Sequence, residues 1–475
     1  MEDRVSFLGR HAVVIGGSIA GLLAARILTG YFEQVTLIER DRFPQRAEPR
    51  KGIPQCTQLH ILLTRGRQIL EDLFPGLENE LIAQGAVTLD MGADVEWLNP
   101  FGWAARFPSE FTALSFSRYI LDWLIYCRLA GVGQVHFLEQ SYVTGLISSS
   151  DGTSIAGVRV QQRQQTGQAQ DQTLVADFVV DASGYSSQAP KWLKTLGYEA
   201  PEETVMTTGM GYASRLYEIP VGVQSDWKGV YLQAAPPERT AMGVLYPIEN
   251  NRWIVGVCAT APYHPSKDEA AFLEALQQLP SPIIYNAVRH AKPSTPIGIY
   301  YPPGNRLRHY ETLKRQPERF VVLGDAVCAF TPIYGQGMTV AALGVTTLAA
   351  CLQNLVQQSS PSLSGLAKTF QKRLAQINAE PWIAATSQDA KYPSVRGITK
   401  VPSVPEKFIG WYMNQVIHLT IHDPQTTLTL FEVFHMLKSA NALFKTRIVL
   451  QVLKQVLGGY LNPNRKQQSL TSVSG

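Results

Sequence analysis

The chain is short of cysteine: five in 475 residues, at positions 56, 127, 258, 328 and 351, with no C-x-x-C pair. So scattered and odd a set argues against a disulfide framework and a structural zinc site, and it suits a reducing cytoplasm. Charge of one sign is lacking too. Lys and Arg number 42 against 38 Asp and Glu, a net +4, which is too balanced over this length for a nucleic-acid-binding chain. Only 17% of residues are charged while 45% are hydrophobic, a composition that excludes disorder and implies a large core. The N-terminus, MEDRVSFLGR, has acidic residues and no apolar run, unlike a secretory signal. The most apolar early stretch, Ala12 to Leu28, carries two central glycines and Arg26, so a strand, a turn and a buried helix explain it better than a membrane span. A Gly-x-Ser-x-Gly nucleophile elbow is absent, as is any internal repeat. His418 and His422 share a helical face near Asp423, but no third ligand accompanies them and no metal is expected.

What is present begins with length, about three typical domains' worth. His11–Ile15 reads as a strand, Gly16–Gly21 as a glycine turn, Leu22–Leu28 as a helix and Val35–Glu39 as a second strand. Together they form a unit of about 30 residues with the order a dinucleotide-binding fold requires. Residues 59–85 read as helical, and 91–117 as a crossing to another part of the molecule. The segment Ser117–Leu129 has helical periodicity. A β-meander is expected over 142–181, with the Gln-rich stretch QQRQQTGQAQDQ as its solvated hairpin loop. Aromatic, β-branched runs between 205 and 260 predict a mostly antiparallel second sheet. Phe320–Leu323 predicts a buried parallel strand, and everything after about 365 reads as helix broken by prolines 381, 393, 402 and 405. The stretch Ala442–Leu461 has a broad apolar face interrupted by Lys445, Arg447 and Lys454, with Arg465 and Lys466 following. It suits a helix packed on its own protein, and alternatively one lying on an anionic membrane surface.

The fold class expected is α/β: a Rossmann-like nucleotide-binding domain with a β-meander, a mostly antiparallel-sheet substrate domain and a helical C-terminal region. Residues 1–90, 112–192 and 295–390 are assigned to the first, 91–111 and 193–294 to the second, and 391–475 to the third.

Three separated segments carry the chemistry. In Gly16-Gly17-Ser18-Ile19-Ala20-Gly21, Gly16 makes the turn and Gly21 lets the helix approach the strand. The N–H groups at the helix start suit a pyrophosphate. Glu39, about 20 residues on, suits a ribose hydroxyl and would repel a 2′-phosphate. In the second segment, Phe320–Leu323 delivers Gly324 and Asp325 to the end of a strand. Pro332 follows, and Gly335-Gln336-Gly337-Met338 opens an apolar helix whose N-terminus would stabilise negative charge on a reduced flavin. The third, Asp177–Ser187, ends the meander in a small-residue turn at Ser183-Gly184.

With these motifs in this order, the chain resembles the FAD-dependent monooxygenases of the para-hydroxybenzoate hydroxylase fold over roughly residues 10–390. Within that fold it is most similar to the polyene epoxidases of polyether ionophore biosynthesis. The stretches carrying this likeness are RKGIPQ (50–55), DASGYSSQAPKWLKTLGY (181–198), GDAVCAFTPIYGQGM (324–338) and EPWIAATSQDAKY (380–392).

The resemblance implies FAD, with Gly16, Gly17, Ser18, Ala20 and Gly21 at the pyrophosphate and Glu39 at the adenosine ribose. Arg40, Val143, Ser183, Gly184 and Gly324 are further cofactor residues. Arg50 falls on the phosphate side and Arg118 at the ribityl chain. Asp325 falls at the ribityl hydroxyls, Pro332 beside the ring, and Gly335, Gly337 and Met338 at its pyrimidine end. It also implies a lipophilic substrate and O2, with oxygen passing from a flavin C4a-hydroperoxide to an alkene or an activated ring. No catalytic side chain is assigned, because the chemistry lies on the flavin.

Candidate pocket residues are Trp103, Tyr212, Tyr246 and Tyr334, with Trp97, Phe101, Phe107, Phe116, Tyr231 and Trp253 as further material, of which at most half should line a site. His60 reads as a satisfied polar residue rather than a base. Electrons would come from NAD(P)H or from a separate flavin reductase; Ser183 stands where the hydroxylases carry the Asp of an Asp-Gly pair that helps admit the nicotinamide cofactor, a departure that speaks against direct reduction by NAD(P)H. The halogenase W-x-W-x-I-P motif is absent, the chain reading RWIVGV at 252–257. The alternatives are an aromatic hydroxylase, a reductase of the geranylgeranyl reductase type, and a non-enzymatic flavin-holding subunit.

Overall fold

The structure, a computed structural model, describes residues 7–163, 169–397 and 403–461. Its centre is a five-stranded parallel sheet, ordered Phe320–Val322, Phe178–Asp181, Gly9–Ile15, Phe32–Ile38 and Val135–Leu138. Ala12, Val13, Val14, Val179 and Val180 are fully buried. A strand covered on both faces must read as a continuous apolar run, and these do.

The helices in chain order are α1 (Ile19–Leu28), α2 (Thr64–Leu73), α3 (Leu77–Ala83), α4 (Arg118–Ala130), α5 (Ala189–Thr195), α6 (Glu269–Gln277), α7 (Ile283–Val288), α8 (Gly337–Val356), α9 (Leu366–Asp389), α10 (Val404–Leu419), α11 (Pro424–Phe434) and α12 (Thr446–Leu461). Among the described residues, α8 alone is long and apolar enough to cross a membrane. It packs against α1, α2 and α9, with Ala342, Val345, Leu348 and Leu352 fully buried, as a core helix does.

The meander is a three-stranded antiparallel sheet of Ser141–Ser148, Ile155–Arg163 and Ala169–Val175. Its hairpin reaches further than expected. Gln161 pairs with Asp171 and Gln162 with Gln170, so part of the Gln-rich stretch is strand rather than loop. Backbone pairing needs no apolar side chains when the strand surface is wet. The rest of that stretch, 164–168, lies outside the described residues, as do Pro402, Arg465 and Lys466.

The second sheet has seven strands, ordered Gly298–Tyr300, Gly211–Glu218, Arg252–Ala259, Met242–Ile248, Gly229–Leu232, Val95–Asn99 and Gly102–Trp103. All neighbours are antiparallel except Gly229–Leu232 beside Val95–Asn99. The segment after residue 91 therefore does cross over, and it supplies the far edge of this sheet. Side chains alternate between its faces. Ala213, Tyr217, Leu245, Val255 and Val257 pack against Phe272, Leu276, Ile284 and Val288 of α6 and α7. Tyr212, Met242, Tyr246 and Cys258 point the other way.

Pro381 does not break the C-terminal helices as expected: it lies inside α9. A mid-helix proline forfeits one backbone bond, but Phe370, Leu374, Asn378 and Ala385 are buried on either side, and that packing carries the helix through. Pro405 instead occupies the first turn of α10, where its missing N–H costs nothing. Tyr412, Val416 and Leu419 of α10 form a small core with Leu443, Ile448 and Val452. This unit is fastened to the rest by Asn99 Nδ2, which donates to Thr420 Oγ1 at 3.0 Å, and by His435. The Thr64 N–H donates to His435 Nδ1 at 3.2 Å, and the ring meets Phe111 edge-on.

Burial holds His435 down at about 4. The unfolded chain then binds more protons than the folded one between the ordinary histidine value and about pH 4, so stability falls as pH drops through that window. His435 alone accounts for up to about 3 kcal/mol at the acid end. Urea midpoints measured at pH 7 and pH 5 should differ in this direction, and His435→Gln should narrow the difference.

Candidate functional site

Parallel register brings the sequence motifs together. Ile15 is level with Ile38 and Asp181, and Asp181 with Val322. The segments that follow these residues all leave the same edge of the sheet: Gly16–Gly21, Glu39–Arg40, Ala182–Gly184 and Gly324–Asp325. A side chain on Gly324 would touch the Ala20 methyl at 2.9 Å, although about 300 residues separate the two. The C-terminal edge of a parallel sheet is where such folds take their ligands.

The glycine turn is tight for steric reasons. Gly16 has φ +99°, and a side chain there would meet the Ala182 carbonyl oxygen at 2.7 Å. A side chain on Gly21 would overlap the Gly16 carbonyl. Ser18 ends the turn without capping α1, and no acidic residue occupies the first turn. The N–H groups of Ile19 and Ala20 are unpaired among the described residues, which leaves the positive end of the helix dipole open.

Beside this turn, Glu39 is only 7% exposed. Its Oε2 accepts from the Gly17 N–H at 2.6 Å and its Oε1 from the Asp41 N–H at 2.9 Å. Arg50 donates through Nη2 to the Gly17 carbonyl at 2.7 Å and lies over the Phe43 ring, while its Nη1 is buried without a hydrogen-bond partner. Arg118, buried at the start of α4, pairs with Asp122 at 3.0 Å and reaches Ser18 Oγ at 3.3 Å. Arg40 is exposed and donates to the Gly52 carbonyl at 2.8 Å. Val143 is half-buried, two residues beyond Ser141, whose N–H donates to the Glu39 carbonyl at 2.9 Å.

Asp325 sits in a one-turn helix, half-buried, and its carboxylate has no hydrogen-bond donor among the described residues. Burial raises its pKa, and the fields of Arg118 and Arg306 oppose the rise. Gly337, at the start of α8, is 4.0 Å from Asp325 Oδ1, measured from where its side chain would begin. The N–H groups of Gly337 and Met338 are unpaired among the described residues, and Pro332 is exposed just before them. Two open helix N-termini, a donor-free carboxylate and a buried guanidinium, held by the Gly17 carbonyl and 3.9 Å from Glu39 Oε2 but with one nitrogen short of a hydrogen bond among the described residues, thus line one edge. That set fits an elongated ligand with a central diphosphate and a polyhydroxyl arm.

The third motif is bound to itself. The Ser183 N–H and hydroxyl donate to Asp181 Oδ1 at 2.9 and 2.6 Å, and the Ser187 hydroxyl to Oδ2 at 2.5 Å. Asp181 is fully buried, and these donors with Arg308 counter the upward pull of desolvation. Gly184, at φ +78°, turns the chain so that Tyr185 lies under the Arg306 guanidinium.

The pocket candidates divide. Tyr212 and Tyr246 share the sheet face opposite α6 and α7. The Tyr212 hydroxyl is buried and makes no hydrogen bond among the described residues. Around it gather Met210, Tyr231, Met242, Cys258, Tyr392 and Ile333, the last from the turn Pro332–Tyr334. Trp103 does not join them. It lies in the edge strand at the other end of the seven-stranded sheet, near the C-terminal helices, because β-propensity does not reveal strand order. Trp253 faces away, against Trp227 in the α6 and α7 core.

Sequence reasoning missed Asp389. Fully buried at the end of α9, it accepts from Tyr334 Oη at 2.5 Å, Thr331 Oγ1 at 2.7 Å and Asn305 Nδ2 at 2.5 Å. It thereby bolts the 331–336 turn to α9. The signal was legible: an acid four residues after buried Ala385, on the buried stripe of its helix. His60 donates through Nδ1–H to the Gln58 carbonyl at 2.9 Å, and burial with Arg118 nearby lowers it to about 3, so its ring is neutral. His418 stacks on Phe101, its pKa lowered by burial and by His422.

The family described as FAD binding domain matches residues 10–377. A curated relative, Protein Rv3254 of Mycobacterium tuberculosis, is 31% identical over 435 residues, covering 86% of this chain and 88% of its own. Among solved structures, a flavoprotein/dehydrogenase from Cytophaga hutchinsonii is similar with TM-score 0.64 at 16% identity, covering 94% of this chain and 98% of its own. The flavin-dependent brominase Bmp2 is similar with TM-score 0.62 at 17% identity, covering 90% and 93%. A probable FAD-dependent monooxygenase from Pseudomonas aeruginosa, pqsL, gives 0.58 at 17%, covering 80% and 97%. At these identities the structural likenesses establish the α/β fold with its parallel and antiparallel sheets.

The Asp389 network predicts a stability effect. Asp389→Asn turns a donor towards Thr331 and Asn305, and should cost about 1–3 kcal/mol of unfolding free energy. Asp389→Ala, which leaves three donors unpaired, should cost more. Denaturant unfolding of the two variants checks the order; equal stability to the parent would mean that the network does not hold the turn.

Proposed function

We propose, from the premise that the chain belongs to this FAD binding domain family, that it is a monooxygenase that epoxidises an alkene of a lipophilic polyketide or terpenoid. FAD-dependent oxidoreductase chemistry is the family's; the oxygen insertion and the substrate are our reading. The observation that carries it is the apolar, tyrosine-rich sheet face standing beside the Pro332–Tyr334 turn.

FAD, once held and reduced, would supply the oxygen-activating chemistry; the chain's part would be to hold it, orient it and keep the site dry. In this reading, Glu39 and Val143 would hold the adenosine end. The N–H groups of Ile19 and Ala20, with Ser18 and Arg50, would take the diphosphate. Arg118 and Asp325 would hold the ribityl arm, and Gly337 and Met338 the pyrimidine end of the ring, beside Pro332. Residues 91–111 and 193–294 would form the substrate domain over this site.

Epoxidation is favoured over phenol hydroxylation by the absence of a ready base among the described residues of the tyrosine cluster. Burial pushes the Tyr212, Tyr231 and Tyr246 phenols and the Cys258 thiol upward, so all are neutral at pH 7. Asp389 already accepts three hydrogen bonds. A phenol gains from deprotonation, whereas an alkene needs only an apolar, water-free approach. Electrons come in this reading from NAD(P)H or a flavin reductase. Ser183 is committed to Asp181 and offers a nicotinamide cofactor little.

Replacing Asp325 by Ala should reduce FAD affinity about tenfold or more, because hydrogen bonds to a charged acceptor are worth about 1.5–3 kcal/mol. Flavin absorbance retained through dialysis checks it, and Glu39→Ala should fall in the same direction. The reaction is tested by mixing reduced protein with O2 and a polyene and weighing the product. Gain of one oxygen atom supports the reading. Gain or loss of two hydrogens means a reductase or dehydrogenase, and an unaltered polyene with an oxygenated phenol means an aromatic hydroxylase.

A further inference from the structure

We propose that α10 and α12 dock the protein on the surface of an anionic lipid bilayer. This goes beyond the reaction above and holds whatever the substrate. On α12, Ile448 and Val452 face α10 in a small core. Leu450, Leu453 and Leu457 lie on the opposite side of the helix, 56%, 50% and 61% exposed. A helix in contact with water alone carries polar residues there. On α10, Phe408 is exposed and in contact with the exposed Trp411, and Phe444 lies exposed on the Tyr412 ring. Exposed aromatic and leucine side chains on two helices that pack on each other suit the boundary between headgroups and acyl chains.

Charge says which partner. Every acidic residue of the chain lies at or before Glu432, so everything after it is basic or neutral: Lys438, Lys445, Arg447, Lys454 and, outside the described residues, Arg465 and Lys466. An open concavity between α11 and α12 is lined by Lys438, Lys445 and Arg447 with Gln425 and Thr429. Lys438 is paired with Glu432 and Arg447 with Asp423, while Lys445 is exposed at the start of the leucine-bearing helix. Cations beside an apolar stripe match lipid phosphates beside acyl chains. A second copy of this chain would bring the same positive charges together across the contact. Crossing the bilayer is excluded for α12: its 16 residues span about 24 Å, short of the roughly 30 Å needed, and Arg447 and Lys454 interrupt them.

The test is co-sedimentation of the full-length, FAD-loaded protein with phosphatidylcholine vesicles, with and without phosphatidylglycerol, at low and high salt. Pelleting should require the anionic lipid and weaken with salt. The Leu450→Ser/Leu453→Ser/Leu457→Ser variant should bind at least about tenfold more weakly. Lys445→Glu/Lys454→Glu should lose about fivefold for each basic residue removed. Inorganic phosphate at the same ionic strength as chloride should compete no better than chloride. Flavin absorbance and turnover of a dispersed substrate should be unchanged in the leucine variant, which separates docking from the reaction. Absence of pelleting on anionic vesicles at low salt overturns the proposal. So does pelleting that the leucine variant leaves intact, or a dimer that the leucine variant dissolves.

Discussion

The structure depends on the levelling of parallel strands. Because Ile15, Ile38, Asp181 and Val322 end side by side, four loops drawn from distant parts of the chain share one edge. The backbone ladder fixes each loop's starting point to within one residue, since a slip of one position would exchange the side chains packed on the sheet's two covered faces. The glycines then decide how closely the loops approach. With a side chain on Gly16 or Gly21 the first turn could not close, and α1 could not aim its free N–H groups along the edge.

Around that edge the molecule uses buried carboxylates in two ways. Asp181 and Asp389 are saturated with donors and act as anchors, one for the Ser183–Ser187 turn and one for the turn ahead of α8. Glu39 is shared with the turn it faces, and Asp325 is left without a donor. All four carry a carboxylate; what differs is the supply of N–H and O–H groups around it. An unsatisfied acid in a half-buried setting is costly unless something supplies the missing donors.

Much of this was legible in the sequence. Strands with continuous apolar runs, glycine spacing and the order of the three motifs led to the α/β architecture and to the shared edge, because those signals are local and periodic. Position within a sheet is neither. Trp103 looks as suitable for a pocket as Tyr212, yet one lies in an edge strand and the other beside the turn of Pro332. The break expected at Pro381 failed because packing on both sides outweighs one lost hydrogen bond. In the C-terminal stretch the periodicity revealed a wide apolar face but not its division, half turned to α10 and half to the outside.

The alternation of the seven-stranded sheet separates two tasks that proteins usually entangle. Residues such as Leu245, Val255 and Val257 secure the domain from behind. Their immediate neighbours in the chain, Tyr246, Ile254 and Cys258, front a different space. Substitutions on that front face can therefore change its chemistry one residue at a time while the packing behind it stays as it is.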